Sequence, residues 1–286
     1  MTSNRFSQPS ELSLKIGAVR GSADEGADGR IRSVVEALHF TAPFKVTKPF
    51  YDAADRLRVM VLAVSAGIMA GDEQTIEVVV DEEAQAEIIS QSFEKVHKMG
   101  KGEYATRETC LVVESGARLE YVPLPVIPFA ASDFRQHTEV KLADDSAQLF
   151  FSDIVSAGRL HFGESFDFTR YRARTRVSVG DDLLYGDNMI LEPAVIKDAG
   201  INLSGFCLFE GYTHQGSILL VGPQVNDELE DAIVRIIAAS EAAEDLTGGV
   251  SRASDFSLCV RVLAHGSEPL LNLRNAILEL DRGIGG

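Results

Sequence analysis

Along residues 134–142 apolar and polar side chains alternate, with Phe134, Val140 and Leu142 on one parity and Arg135, His137, Glu139 and Lys141 on the other. That period of two belongs to a strand with one buried face. An Asp144-Asp145-Ser146 turn leads to a second strand over residues 147–154. The same order of strand, polar turn, alanine and strand occurs around Asp81-Glu82-Glu83-Ala84 and around Glu114-Ser115-Gly116-Ala117. Alanines 84, 117 and 147 are 33 and 30 residues apart, a period expected of strand pairs stacked in successive layers. The rival reading is that polar turns between strands are common in any β protein. Residues 179–184, Val-Gly-Asp-Asp-Leu-Leu, read as a degenerate fourth copy.

Either side of this stretch the pattern stays β-like. Residues 12–19 and 31–40 form a hairpin around a glycine-rich acidic loop, and residues 45–51 are extended because Pro49 restrains Lys48. Residues 56–64 read as a buried strand, and β-branched residues carry another over 75–80. Pro123, Pro125 and Pro128 cannot join a helix and keep residues 119–129 extended. Residues 166–179 place Arg170, Arg172, Arg174 and Arg176 on one face. They either pair across strands with Glu139 or Glu164 or form a docking patch for an acidic partner. Strand character continues through residues 183–191, 205–210 and 216–221.

Helices come late. Asn226 caps one in which Leu229, Ile233, Ile236 and Ile237 follow the 3.6 spacing until Gly248-Gly249 stops it. A strand over 256–263 precedes a last helix, capped by Ser267 and ended by Gly283. Leu270, Leu273, Ile277 and Leu280 form its inward stripe, leaving Arg274 and Arg282 available to a partner.

Composition narrows the function. The chain has 27 Lys and Arg against 43 Asp and Glu, a net charge of -16, which argues against a nucleic-acid partner. Basic or metal-bearing partners suit it better. Cys110, Cys207 and Cys259 lie far apart without a Cys-x-x-Cys pair, so neither a disulfide framework nor a zinc site is readable, and a reducing cytoplasm is the simplest home. The first residues lack a signal-peptide core, and the longest apolar run, 59–66, is too short to span a membrane.

Familiar catalytic motifs are missing. Gly67-x-x-x-Gly71 is followed by Asp72 where a phosphate loop needs Lys-Ser/Thr, and neither Gly-x-Ser-x-Gly nor His-Glu-x-x-His occurs. What remains is a set of carboxylates in strand-rich, apolar surroundings: Asp72, Glu94, Asp153, Glu164 and Asp187. Burying any of them is costly unless it is paired, hydrogen-bonded or wet. One reading is a polar internal path for a divalent cation, which suits carboxylate and water ligands. The other is that each caps a turn or pairs with Lys95 or Arg159. The histidines are scattered; His97 and His161, nearest the carboxylates, are the candidate metal ligands. A stacked-strand enzyme acting on carbohydrate would also be acidic, but it needs a groove of exposed aromatics, and this chain has no tryptophan and 7% aromatic residues. A free-standing metal carrier needs clustered His or Cys, which are absent.

The order of landmarks carries a family resemblance. Leu119-Glu120-Tyr121-x-Pro123-x-Pro125 with Phe129, then Phe134-Arg135-Gln136, Asp153, Gly158-Arg159 and Gly163-Glu164-x-Phe166, resembles the urease accessory proteins called UreD or UreH. Gly249-Val250-Ser251 and Arg261-Val262-Leu263 agree near the C-terminus. The family's Gly-Gly-x-x-Gly-Gly-Asp is matched by Ala66-Gly67-Ile68-Met69-Ala70-Gly71-Asp72, with two glycines replaced by alanine. Its Thr-x-Ala-x-Lys-Val-Tyr is seen here in residues 90–97, Ser-Gln-Ser-Phe-Glu-Lys-Val-His, with Lys95 kept and His97 in place of tyrosine. The resemblance implies a mainly β fold over residues 1–286 as one domain, its strand layers stacked in a helical, solenoid-like arrangement with two α-helices in the C-terminal half. It also implies a non-enzymatic role: binding UreF and through it the GTPase UreG, presenting the assembly to apo-urease, and passing nickel(II) transiently through an internal route.

Overall fold

The computed structural model describes residues 9–20, 31–205, 208–243 and 245–284. The chain enters through β1 (Ser10–Arg20), β2 (Ile31–Phe40), β3 (Phe44–Val46), β4 (Phe50–Tyr51) and β5 (Leu57–Ala63). It then winds through β6 (Glu73–Val80), β7 (Gln85–Ser90), β8 (Glu94–Val96), β9 (Ala105–Val113), β10 (Arg118–Val122), β11 (Val126–Pro128), β12 (Asp133–Leu142) and β13 (Gln148–Ser156). β14 (Arg170–Val179), β15 (Asp182–Leu191) and α1 (Pro193–Asp198) follow. The chain closes with β16 (His214–Val221), α2 (Asp227–Ala242), β17 (Leu246–Ser254), β18 (Ser257–Ala264) and α3 (Ser267–Ile284).

Successive strands alternate between two facing sheets. Parallel neighbours β6, β9, β12 and β14 build the first, and parallel neighbours β5, β7, β10 and β13 the second. The result is a β-solenoid of about four turns. Its seam is the repeated corner. Ala84, Ala117 and Ala147 are fully buried there, and backbone bonds run from turn to turn: Arg118 N donates to Ala84 O at 2.9 Å and Gln148 N to Ala117 O at 2.8 Å. Just inside the corner, Val80, Val113, Leu142 and Val179 stand in register as an inward ladder. The repeat, with its spacings of 33 and 30 residues, is therefore structural.

Residues 179–184 depart from it. Gly180 N still donates to Leu142 O at 2.9 Å, as the earlier corners do, but Gly180 has φ 54° and the chain reverses into the antiparallel β14–β15 hairpin. A left-handed residue in so short a loop turns the strand back before another layer can start. The expected β1–β2 hairpin is present; the loop between its strands lies outside the described residues.

Both expected long helices form, and the short α1, with Pro193 in its first turn, is added. The Asn226 side chain accepts from Leu229 N at 2.9 Å, and Leu229, Ile233 and Ile237 are buried. α2 ends at Ala242, not at Gly248-Gly249, which lie inside β17. A Cβ on Gly248 would stand 2.5 Å from Arg261 O, so that glycine permits close strand approach. Residues 205 and 208–210 form bends and turns, not the strand their composition suggested. Among the described residues no helix is long and apolar enough to cross a membrane.

α2 and α3 cover the outer face of the second sheet, closing an apolar layer around Phe150, Leu220, Ile233 and Ile277. Between the two sheets the filling is not uniform. One apolar cluster centres on Leu14, Val78, Leu111 and Val140, and another on Ile68, Val96, Phe134 and Val155. A polar layer separates them.

Candidate functional site

The polar layer is laid down by strand parity. Gln74, Arg107 and Gln136 are register partners on β6, β9 and β12, and one step along, Thr109, Thr138 and Thr175 form a second ladder. They share the parity of the buried Phe134, Val140 and Leu142, so they too face the opposite sheet. Tyr121 and Asp153 come from the facing sheet, and Glu94 from β8. Two cavities open along this layer. The first, of about 80 Å³, is bordered by Glu94, Arg107, Thr109, Tyr121, Gln136 and Asp153. The second, of about 20 Å³, is bordered by Asp153, Thr175, Tyr185, Asp187, Gln215 and Ser217. Since roughly 10–15 Å³ accommodates one water, the first holds a short chain of waters and the second little more than one. Asp153 stands at their junction.

The three carboxylates along the layer are not equivalent. Arg107 Nη2 donates to Glu94 Oε2 at 2.8 Å, while its Nε donates to Gln74 Oε1 at 2.9 Å. At the far cavity Arg261 Nη2 lies 2.9 Å from Asp187 Oδ1 and 3.3 Å from Tyr185 Oη. Asp153 has no arginine or lysine at ion-pairing distance among the described residues. Its Oδ2 accepts from Gln136 Nε2 at 2.8 Å, and that nitrogen also lies 2.9 Å from Tyr171 Oη. Burial pushes the Asp153 carboxyl up to about 6, against the bond from Gln136 and the charge of Arg107. Asp153 is half-buried and borders both cavities.

The structure thus gathers Glu94, Asp153 and Asp187 along one layer and leaves Asp72 and Glu164 elsewhere. Asp72 Oδ2 accepts from Met69 N at 2.8 Å, capping the 69–72 turn. Gly71 in that turn has φ 81° and Gly67 just before it φ 144°, and a Cβ on Gly67 would stand 2.3 Å from Lys95 O. Ala66 and Ala70 replace glycines without adopting a positive φ. Glu164 is taken up by Arg159, which holds its carboxyl below the usual range, and Ala130 N donates to it at 3.1 Å. Lys95 is exposed on β8 and is not the partner of Glu94. His97 Nε2 donates to Ala66 O at 2.9 Å, and His161 lies in the 3-10 turn Leu160–Phe162. No group of three His, Cys, Asp or Glu able to hold a metal exists among the described residues.

Two further expectations are corrected. On α3, Leu270 and Ile277 pack inward, but Arg274 and Arg282 are not free for a partner. Arg274 Nη1 donates to Pro123 O at 2.9 Å, and burial lowers its pKa. Arg282 bridges Glu120 and Glu87, which are register partners on β10 and β7. Two stacked glutamates demand a cation between them, and helical spacing alone could not reveal that demand. On β14, Arg170 pairs across the hairpin with Glu192, as the pairing reading expected, and Arg172 Nε donates to Asn188 Oδ1 at 3.1 Å; among the described residues neither Glu139 nor Glu164 is an ion-pair partner of these arginines.

The residues that sequence reasoning missed are Gln74, Arg107, Thr109, Tyr121, Gln136 and Thr138. A signal was present: polar side chains at inward parity, as in Phe134-x-Gln136-x-Thr138-x-Val140. It becomes legible once the strand's facing is known.

Comparison with known proteins fits this architecture. The family model "UreD urease accessory protein" matches residues 19–285. The chain is 38% identical over 277 residues to the urease accessory protein UreH of Helicobacter pylori (strain J99), covering 97% of this chain and 96% of the relative. It is 35% identical over 282 residues to the urease accessory protein UreD of Acetivibrio thermocellus, covering 98% of each. Over 246 residues it is 32% identical to the UreD of Actinobacillus pleuropneumoniae serotype 5b, covering 85% of this chain and 89% of the relative. With nearly the whole length matched by model and relatives alike, the chain belongs to the UreD family of urease accessory proteins.

Proposed function

We propose that this chain is a non-catalytic factor of urease maturation which, with UreF and UreG, assembles on apo-urease in the cytoplasm and passes nickel(II) along the polar layer between its sheets. The observation that carries the reading is Asp153, an inward carboxylate at the junction of two cavities with no cationic partner among the described residues. A divalent cation entering the second cavity must shed much of its hydration, because there is room for about one water. Oxygens of Asp153, Asp187, Gln215 and Ser217 border that constriction and can replace the lost ligands. The described residues hold no group of three metal-ligating side chains, which suits transient passage better than storage.

Carbohydrate hydrolysis is not favoured. Its two carboxylates must flank a sugar, whereas these face cavities of about 80 and 20 Å³ between sheets. Urease co-expressed with UreF and UreG, with and without this chain, tests the reading by its nickel content. Full metallation in its absence at ordinary nickel supply contradicts it.

A further inference from the structure

Arg107 is out of place in a cation route. Its side chain is 11% exposed, it borders the first cavity with Glu94 and Asp153, and its charge acts on Asp153 as well as on Glu94. A buried guanidinium is never neutral, so the cavity holds a permanent positive charge. Without it, the polar side of this otherwise largely apolar cavity would hold Glu94 and Asp153 as two carboxylates with Tyr121, Gln136 and Thr109 beside them, enough oxygens to retain a divalent cation. A conducting route requires binding strong enough for entry and weak enough for exit. We propose that Arg107 is the release residue of this route: it competes with the passing cation for Glu94, repels it at Asp153, and so prevents the first cavity from becoming a metal trap.

Gln74 makes the competition possible. By accepting from Arg107 Nε it keeps the guanidinium in place when Glu94 turns to the cation, so the arginine yields one partner and recovers it after passage. The proposal rests on the reading of the polar layer as a nickel route, and its test separates the two. The full-length wild type, Arg107→Gln, Arg107→Lys and the double variant Glu94→Gln/Arg107→Gln are loaded with Ni(II), desalted and assayed for retained metal. Each is also co-expressed with urease, UreF and UreG. Arg107→Gln is expected to retain about one Ni(II) per chain where the wild type retains little, and to lower urease metallation several-fold. Arg107→Lys, which keeps the charge, restores both toward wild type, and removing Glu94 in the double variant abolishes the retention. Folding of each variant is read from its thermal transition. Unchanged retention in folded Arg107→Gln, or equal retention in Arg107→Lys, overturns the release role. If Asp153→Asn also leaves metallation unchanged, the route itself is wrong; if Asp153→Asn lowers it, the route stands and Arg107 is structural.

Discussion

Two buried ionic regions lie on opposite faces of the second sheet, and they are balanced differently. Beneath α3, Arg58, Arg118 and Arg282 meet the buried carboxylates of Glu87, Glu120 and Asp281, with the exposed Glu279 as a further partner of Arg282. Every carboxylate there touches an arginine, and Gln224 Nε2 donates to Asp281 at 3.0 Å. Between the sheets, among the described residues, Glu94 and Asp187 pair with Arg107 and Arg261, and the central Asp153 has no cation at ion-pairing distance. The first arrangement is a clamp that fixes α3 to the solenoid. The second keeps an unneutralised charge beside internal space, which raises the native state's free energy unless another cation arrives.

Breaking the clamp should have the largest effect. Arg118→Met leaves Asp281, fully buried, without a cationic partner and should cost about 3–5 kcal/mol in urea unfolding, with α3 detaching first. Asp153→Asn should act in the opposite direction. The folded carboxyl titrates near 6 and the unfolded one near 3.8, so the native state binds the proton more tightly and loses stability as pH rises from about 4 to 6. Asparagine removes that penalty. The variant should be more stable than wild type by about 1–3 kcal/mol at pH 7 and indistinguishable below pH 4, measured by urea unfolding at both. If Asp153→Asn is destabilising at pH 7, the carboxylate has a partner and the contrast between the regions fails. Nickel transfer should likewise weaken as pH falls through 6, when a proton occupies Asp153; a flat profile between pH 5 and 7.5 argues against its participation. The smallest effect belongs to Asp72→Ala, which removes a turn cap. It should lower stability by about 0.5–2 kcal/mol and change urease metallation only in step with that loss.

How legible these regions were in sequence follows from what each depends on. The stacked layers could be read because the corner alanines repeat locally, each within its own strand-turn-strand unit. The clamp could not, since Glu87 and Glu120 become neighbours only through register and Arg282 meets them across 162 residues from Glu120. Asp153 and Asp187 stood out as carboxylates in apolar strands, but so did Asp72 and Glu164. Only parity and the facing sheet divide those pointing inward from those capping turns. Arg107 escaped notice because its partner Gln74 lies on a different turn of the solenoid.

The central claim is that the unpaired carboxylate between the sheets serves passage of the metal and not the fold. Nickel per urease active site, measured after co-expression with Asp153→Asn at matched abundance of the accessory assembly, tests it most directly. The account predicts a several-fold loss of nickel while the variant is folded and as stable as wild type or more so. Full metallation by the folded variant would contradict it.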